Sequence, residues 1–368
     1  MLWVDKHRPT KLVDLSYHAD ITARLEAMAN RSQSMPHLFF YGPSGSGKKT
    51  RIAALLRALF GSGSERLKLD KRSFKTPTGK AVDINMITSN YHIEISPGDA
   101  GLNDRYVVQE IIKEIASSTN IVTAVGNKQA ALDNNNSNNK KPDFKVVVLS
   151  EVDRLSRPAQ AALRRTMEKY SHTCRLILCC NSFSKVIEPV RSRCLGIRVG
   201  APTHDEICDV LHVVARHESI VLPDMLASNV ARESSRNLRR AILMLEACHV
   251  QNRNGLMADQ PIPKTDWEVY IAQLAADISA EQTPQRLVAT REKLYELLVN
   301  CIPATIILKT LVHELTLRLD DSLKPEIFQW AAFYEHRVAQ GGKEIFHLEA
   351  FIAKFMALYK KYLNDLFA

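Results

Sequence analysis

Gly42-Pro43-Ser44-Gly45-Ser46-Gly47-Lys48-Lys49-Thr50 is the stretch from which the fold is read. Before it runs the apolar segment His37–Tyr41, and after it the helical segment Arg51–Phe60, closed by Gly61. Strand, glycine-rich turn and helix in that order match the pattern Gly-x-x-x-x-Gly-Lys at Gly42, Gly47 and Lys48. The glycines let successive backbone N–H groups wrap phosphate oxygens, and the helix N-terminus adds a favourable dipole. Lys48 is placed to reach the β- and γ-phosphates. ATP or ADP is the expected cofactor. A glycine-rich turn with a chance lysine is the bland reading, and it needs neither the strand before nor the helix after.

The loop departs from its own pattern at one position. A Ser or Thr hydroxyl normally follows the lysine and holds Mg²⁺. Lys49 stands there instead, and Thr50 lies about 100° further round the helix. A second departure points the same way. The apolar strand Lys145–Leu149 is followed by Ser150-Glu151-Val152-Asp153. The metal-side carboxylate expected after such a strand is therefore Ser150, while Glu151 takes the water-activating place. Both protein groups that would anchor Mg²⁺ are altered, so the site is expected to keep nucleotide and to turn it over slowly or not at all. The alternative is that water or Thr50 completes a metal shell and hydrolysis survives.

Outward from the loop, Tyr91–Ser96 alternates like a strand, and Arg175–Cys180 is a continuous apolar run like Lys145–Leu149. Continuous runs belong to parallel strands buried on both faces. Asp104 to Ala116 places Val107, Val108, Ile111, Ile112 and Ile115 on one helical face. The alternation predicts a doubly wound α/β domain with a parallel sheet. Asp133–Pro142 is Asn-rich and expected to be a surface loop, and Lys68 to Lys80 a solvated basic hairpin. Near residue 200 the pattern turns helical. Thr203 and Glu206 form a capping box, and Ile207, Val210, Leu211 and Val214 form a stripe. Gln251–Pro263 reads as a linker. Thr283-Pro284, Cys301–Pro303 and Leu323–Pro325 open helices of a five-helix bundle.

Composition narrows the class. The 368 residues are 45% hydrophobic, with no apolar run long enough to cross a membrane. The N-terminus lacks the apolar stretch of a signal peptide, which predicts a cytosolic or nuclear protein. Seven cysteines, with no Cys-x-x-Cys pair, predict reduced core thiols rather than a disulfide framework or a zinc site. The net charge of +9 suits a polyanionic partner such as nucleic acid.

Several short motifs resemble the replication factor C-type clamp-loader subunits over nearly the whole chain, the Asn-rich loop excepted. Leu2–Pro9 looks like the family's N-terminal box, and Ala161–Glu168 like the helix after Walker B. Arg191-Ser192-Arg193-Cys194 contains the Ser-Arg-Cys motif, Arg236–Arg240 resembles the sensor 2 helix, and Ile345–Phe351 the C-terminal collar. The Gly-Lys-Lys-Thr loop and the altered Walker B are similar to the small-subunit type numbered five in fungi and three in animals. The resemblance implies an AAA+ core over 1–200, a helical lid over 201–255 and an all-α collar over 256–368.

It also implies roles. Val4, Arg8 and Tyr17 would line the adenine pocket. Asn181 would be sensor 1, and Arg239 the sensor arginine reaching the γ-phosphate. Arg193 would act in trans as an arginine finger in a neighbour's site. The implied partners are the other clamp-loader subunits, the PCNA sliding clamp and the phosphates of primer–template DNA, in the nucleus, with no membrane. Arg105 and Arg157, each opening a helix, and Arg164 and Arg165 are the candidate DNA contacts, and plain surface ion pairing is their rival reading. Three other readings stay open: an active AAA+ ATPase, a small-molecule P-loop kinase, and a scaffold shared with checkpoint or cohesion complexes.

Overall fold

The computed structural model describes residues 1–31, 35–75, 81–117, 144–252 and 255–367. The Asn-rich stretch 133–142 therefore lies outside the described residues, as do the end of the predicted basic hairpin and the side chains of residues 111, 112 and 115. The chain divides into two units, Met1–Ile262 and Pro263–Ala368.

The first unit is built on a seven-stranded sheet. Its strands are β1 (Leu38–Tyr41), β2 (Lys68–Lys75), β3 (Ala81–Thr88), β4 (His92–Ile95), β5 (Lys145–Leu149), β6 (Cys174–Cys180) and β7 (Leu195–Arg198). The order is β2-β3-β4-β5-β6-β1-β7. From β4 to β7 all neighbours are parallel, and β2 and β3 add an antiparallel edge. The continuous apolar runs are explained by the period of two, which sends successive side chains to opposite faces. Phe39, Val147, Leu149, Leu176 and Leu178 enter the core that includes Val107, Val108, Leu163 and Met167. Leu38, Phe40, Val146, Val148 and Ile177 enter the opposite core with Leu25, Ile52, Leu55 and Phe60. Both faces are covered, so neither half of the alternation can be polar.

Helices His204–His217, Asp224–Glu233 and Leu238–Gln251 follow the sheet. The Thr203 capping box is present in both directions, Glu206 N–H to Thr203 Oγ1 at 3.2 Å and Thr203 N–H to Glu206 Oε2 at 2.7 Å. Ile207, Leu211 and Val214 are buried against Leu226, Val230 and Leu245, and Trp3 of the N-terminal segment joins this core. Trp3 N–H also donates to Glu246 Oε2 at 3.1 Å.

The segment read as a linker behaves differently. Leu256 and Ile262 pack against the helices, and Gln260 is buried with its amide donating to Cys248 O at 2.8 Å. Its Asn, Gly and Pro content hid three inward-facing residues too widely spaced to register as an element.

The second unit contains Asp266–Ala280, Pro284–Val299, Ala304–Thr316, Lys324–Gln340 and Glu344–Phe367, five helices among the described residues. Its core gathers Ile271, Leu274, Leu294, Leu311, Phe351 and Phe355. All seven cysteines are free. Cys174, Cys179, Cys180 and Cys248 are buried, but Cys301 is exposed in a left-handed turn at φ 59, so the core-thiol reading fails for that residue.

Two imidazoles make the first unit acid-sensitive. His37 Nδ1 accepts the Leu176 N–H at 3.0 Å, stitching the start of β1 to β6. Burial, and then the Arg175 guanidinium, hold the pKa of His37 below the ordinary imidazole value, and burial does the same to His92. The unfolded chain takes up these protons first as pH falls through about 6.5, while the folded form stays neutral to lower pH. Stability is thus full above that value and is lost below it. In urea unfolding followed by circular dichroism, the first unit's midpoint is expected to drop between about pH 7 and about pH 5.5. His37→Asn, whose carbonyl accepts the same N–H without titrating, is expected to flatten part of that slope.

Candidate nucleotide site

A cleft of about 860 Å³ opens in the first unit. Four regions build it: the N-terminal segment, the phosphate loop, the chain just beyond β5 and at the end of β6, and the helices after residue 204. Val4, Arg8, Tyr17, Ser44 to Thr50, Glu151, Asn181 and Arg239 all line it. Gly42 and Pro43 are outside the lining but serve it through their carbonyls. Arg193 is not part of it.

Lys48 is the centre of the arrangement. Its buried ammonium donates to Gly42 O at 2.7 Å, Pro43 O at 2.7 Å and Asn181 Oδ1 at 2.9 Å. An ammonium has three donors, and all three are used. An incoming phosphate oxygen must replace one of these acceptors. Burial lowers the pKa of Lys48, opposed by the Asp153 carboxylate. The thiols of Cys179 and Cys180 are pushed up by burial, to about 11 and about 12, so they stay neutral and unreactive beside the loop.

A prop beneath the loop was not visible in the sequence. Arg51 is fully buried, stacks at 4.3 Å over the Tyr17 ring and donates to Tyr17 O at 2.6 Å. Tyr17 in turn donates from its hydroxyl to Ser46 O at 3.0 Å. Tyr17 therefore supports the loop from below. Arg51 Nε has no hydrogen-bond partner among the described residues. A buried cation left short of partners is costly, and phosphate bound across the same loop would offset part of that cost.

From the other side, Asn237 meets the loop. A Cβ on Gly45 would fall 1.8 Å from Asn237 Oδ1, and Gly45 sits at φ +75. Asn237 is the N-cap of Leu238–Gln251, accepting Arg240 N–H at 3.2 Å. The turn before it is strained, with Ser235 at φ 52 and Arg236 at φ 62. Arg236 holds that turn by donating to Pro202 O and Ala201 O, each at 2.9 Å. Of the arginines in 236–240, Arg236 is thus an internal brace, and Arg239 faces the cleft.

Whether these residues fit Mg²⁺ is decided by their donors. Mg²⁺ takes an octahedral set of oxygens at about 2.0–2.1 Å. Lys49 offers an ammonium, which has no acceptor. The hydroxyl of Ser150, wholly buried, donates to Glu94 Oε1 at 3.0 Å, and Lys49 Nζ lies 3.1 Å from the same oxygen. Glu151, at a left-handed φ of 54, pairs with Arg154 at 3.0 Å. Thr50 Oγ1 accepts Arg8 Nε at 3.3 Å. The donor set does not fit the ion.

Away from the cleft, Arg193 donates from Nε to Glu168 Oε1 at 2.8 Å and from one terminal nitrogen to Pro189 O at 2.9 Å. Arg105 and Arg157 are exposed at the starts of Asp104–Ser117 and Arg157–Lys169. Buried Asp104 ties those two helix starts together, accepting Ser156 N–H at 2.7 Å and Ser156 Oγ–H at 2.9 Å. Arg164 and Arg165 are exposed further along the second helix, Arg164 lying 3.6 Å from Glu168.

Comparison with known proteins places this geometry. Family models match residues 17–202 (DNA polymerase III, delta subunit), 209–250 (RCF1/5-like, AAA+ ATPase lid domain) and 267–363 (Replication factor C subunit 3, C-terminal domain). Replication factor C subunit 3 of Homo sapiens is 52% identical over 364 residues, 99% of this chain and 98% of that protein. The subunit 3 of Arabidopsis thaliana is 50% identical over the full length of both chains, and the subunit 5 of Neurospora crassa is 50% identical over 99% of each. The chain belongs to the replication factor C subunit 3/5 family. Among solved structures, the Thermotoga maritima RuvB Holliday junction branch migration motor aligns with a TM-score of 0.47 at 14% identity, over 78% of this chain and 85% of that one. In the replication factor C fold, an AAA+ core with a parallel sheet is followed by the lid and a helical C-terminal domain, and that fold implies nucleotide binding.

Gly45→Ala tests the loop-to-lid contact. A Cβ there costs about 1–2 kcal/mol in the left-handed region alone and must also displace the Asn237 cap. Calorimetric titration with ADP is expected to show affinity weakened by about tenfold or more.

Proposed function

We propose that this chain is the nucleotide-holding, non-cleaving member of a heteropentameric clamp loader that places the PCNA sliding clamp on primer–template DNA in replication and repair. The carrying observation is the Lys49–Glu94–Ser150 chain, which occupies with one ammonium and one hydroxyl donor the positions that would ligate metal. Phosphoryl transfer relies on the metal to neutralise developing charge. Asn181 supports the same reading, because its carbonyl is spent on Lys48 rather than turned toward a water.

Resident ATP or ADP then has a structural use. Val4 and Arg8 line the base pocket with Tyr17 near it, the phosphate loop and Lys48 hold the phosphates, and Arg239 reaches the outermost phosphate from the lid. The nucleotide stabilises the folded subunit by mass action. We read 1–200 as core, 201–255 as lid and 256–368 as the collar that joins the ring of other subunits.

Arg193 acts on a neighbour. It lies outside its own cleft, and Glu168 orients it on the rim of the Arg157–Lys169 helix, where an adjoining γ-phosphate would replace the carboxylate. Arg105 and Arg157 supply phosphate contacts that position DNA without reading bases. The setting is nuclear. One observation favours the second reading, an active ATPase: Asp153 Oδ1 is buried with no hydrogen-bond partner among the described residues, and its carboxylate is felt by Lys48. A scaffold role in checkpoint or cohesion complexes would use the same surfaces.

Two measurements on the reconstituted assembly separate these readings. With only this chain's site intact, single-turnover hydrolysis of ATP is expected to stay at background, and measurable turnover supports the active-ATPase reading instead. Arg193→Ala is expected to slow hydrolysis at the neighbouring site by about a hundredfold or more. Unchanged turnover would remove the finger role.

A further inference from the structure

We propose that Lys49 replaces the divalent cation in this site, so that the cleft takes a nucleoside diphosphate or triphosphate in a Mg²⁺-independent manner. The inference rests on the reading that the cleft holds nucleotide, and adds what neutralises the phosphates there.

Lys49 is the second residue of the helix Lys48–Phe60 and lines the cleft. Its side chain is half exposed and reaches across to Glu94 on β4. β4 pairs in parallel with β5, Glu94 facing Val148 in register, so the Glu94 carboxylate arrives beside the end of β5. Ser150 follows that end, anchored by its N–H to Ile95 O at 2.8 Å. Its hydroxyl and the Lys49 ammonium converge on one oxygen, Glu94 Oε1, at 3.0 Å and 3.1 Å. Ammonium, carboxylate and hydroxyl therefore form a closed set across the two positions where a phosphate loop otherwise presents metal ligands.

A divalent ion entering this set would meet a positive charge first. It would find no lone pair on Lys49, and would have to break the Lys49–Glu94 pair to reach the carboxylate. An anion meets the opposite situation. The Lys49–Glu94 pair is solvent-accessible and contributes little to stability, so the ammonium is free to turn onto a phosphate oxygen at small cost. With Lys48 buried below and Arg8 at hydrogen-bond distance from Thr50, the added lysine places a second amine where a metal would otherwise offset the phosphate charge. An ammonium neutralises charge without the fixed octahedral geometry that orients an attacking water. Retention and slow turnover then have one cause.

The rival is that Lys49 swings aside and Glu94 takes over as a metal ligand. Isothermal titration of the full-length chain with ADP, once in EDTA and once in excess Mg²⁺, separates the two. The expected result is a difference in affinity of less than about twofold. Lys49→Met is expected to lose about tenfold in EDTA, and Lys49→Arg to keep most of the affinity. Glu94→Gln is expected to leave the EDTA affinity equal or raised, whereas the rival requires a loss confined to Mg²⁺. Affinity that falls tenfold or more in EDTA for the unaltered chain overturns the substitution while leaving nucleotide binding intact. Absence of ADP binding in both conditions overturns the nucleotide reading itself.

Discussion

One ammonium holds the phosphate loop to the sheet. Lys48 ties the carbonyls of Gly42 and Pro43, on the loop's first turn, to Asn181 just beyond β6. Burying a lysine is costly unless all its donors are met, and here three acceptors meet them. The loop is further confined from below by Tyr17 and at its start by Val199, whose carbonyl would lie 1.9 Å from a Cβ on Gly42. The proposed use of the cleft depends on this cage, because the N–H groups it aims are the expected phosphate ligands. The same cage holds the loop in place yet leaves it ready for an anion. Lys48 is satisfied by neutral carbonyls, which a phosphate outcompetes.

How much of this could be read from sequence follows from where each interaction's information lies. The parallel sheet was legible because burial on both faces removes polar residues from β1, β5 and β6, leaving runs that no other context produces so compactly. The phosphate loop was legible because its chemistry is local: glycines, lysine and helix start are within nine residues. Glu94 was not. It is one polar residue in a short alternating strand, and its importance comes from the pairing of β4 with β5, some fifty residues apart in sequence. Arg51 escaped for a related reason, since an arginine in an amphipathic helix normally faces water, and only the Tyr17 ring beneath it makes burial tolerable. The 251–263 segment misled because turn residues dominate its composition, while Gln260 is inward by a single long-range bond.

The site separates two properties that usually travel together. Gripping a triphosphate needs backbone N–H groups and positive charge, which need only be near. Cleaving it needs a metal and a water held to within a fraction of an ångström. On the proposed reading, Lys49 and Ser150 preserve the first requirement and forfeit the second. The trade is coherent at the level of charge: Ser150 for a carboxylate removes one negative group, and Lys49 for a hydroxyl adds one positive group, so the pair of departures shifts the cleft by two charges toward anions. If Lys49 stands in for the divalent ion as proposed, that ion's contribution is written into the covalent chain. Single departures would not do this. Ser150 alone would leave a weak metal site, and Lys49 alone would leave its ammonium facing an intact carboxylate.

Arg193 completes the logic from the outside. For the proposed finger role, Arg193 must stay extended when no neighbour is present and must not fold back into its own cleft. Glu168, three turns along a helix capped at Ser156, provides a half-exposed carboxylate at 2.8 Å, and Pro189 O fixes the opposite edge of the guanidinium. Because Glu168 is solvent-accessible, its hold is weak. A phosphate bearing two negative charges displaces it readily. The competing pull of Arg164 on the same carboxylate lowers that barrier further. On the proposed reading, a chain whose own metal positions are closed, and whose Arg193 is held outward by an exchangeable carboxylate, receives nucleotide for itself and acts on the nucleotide of another.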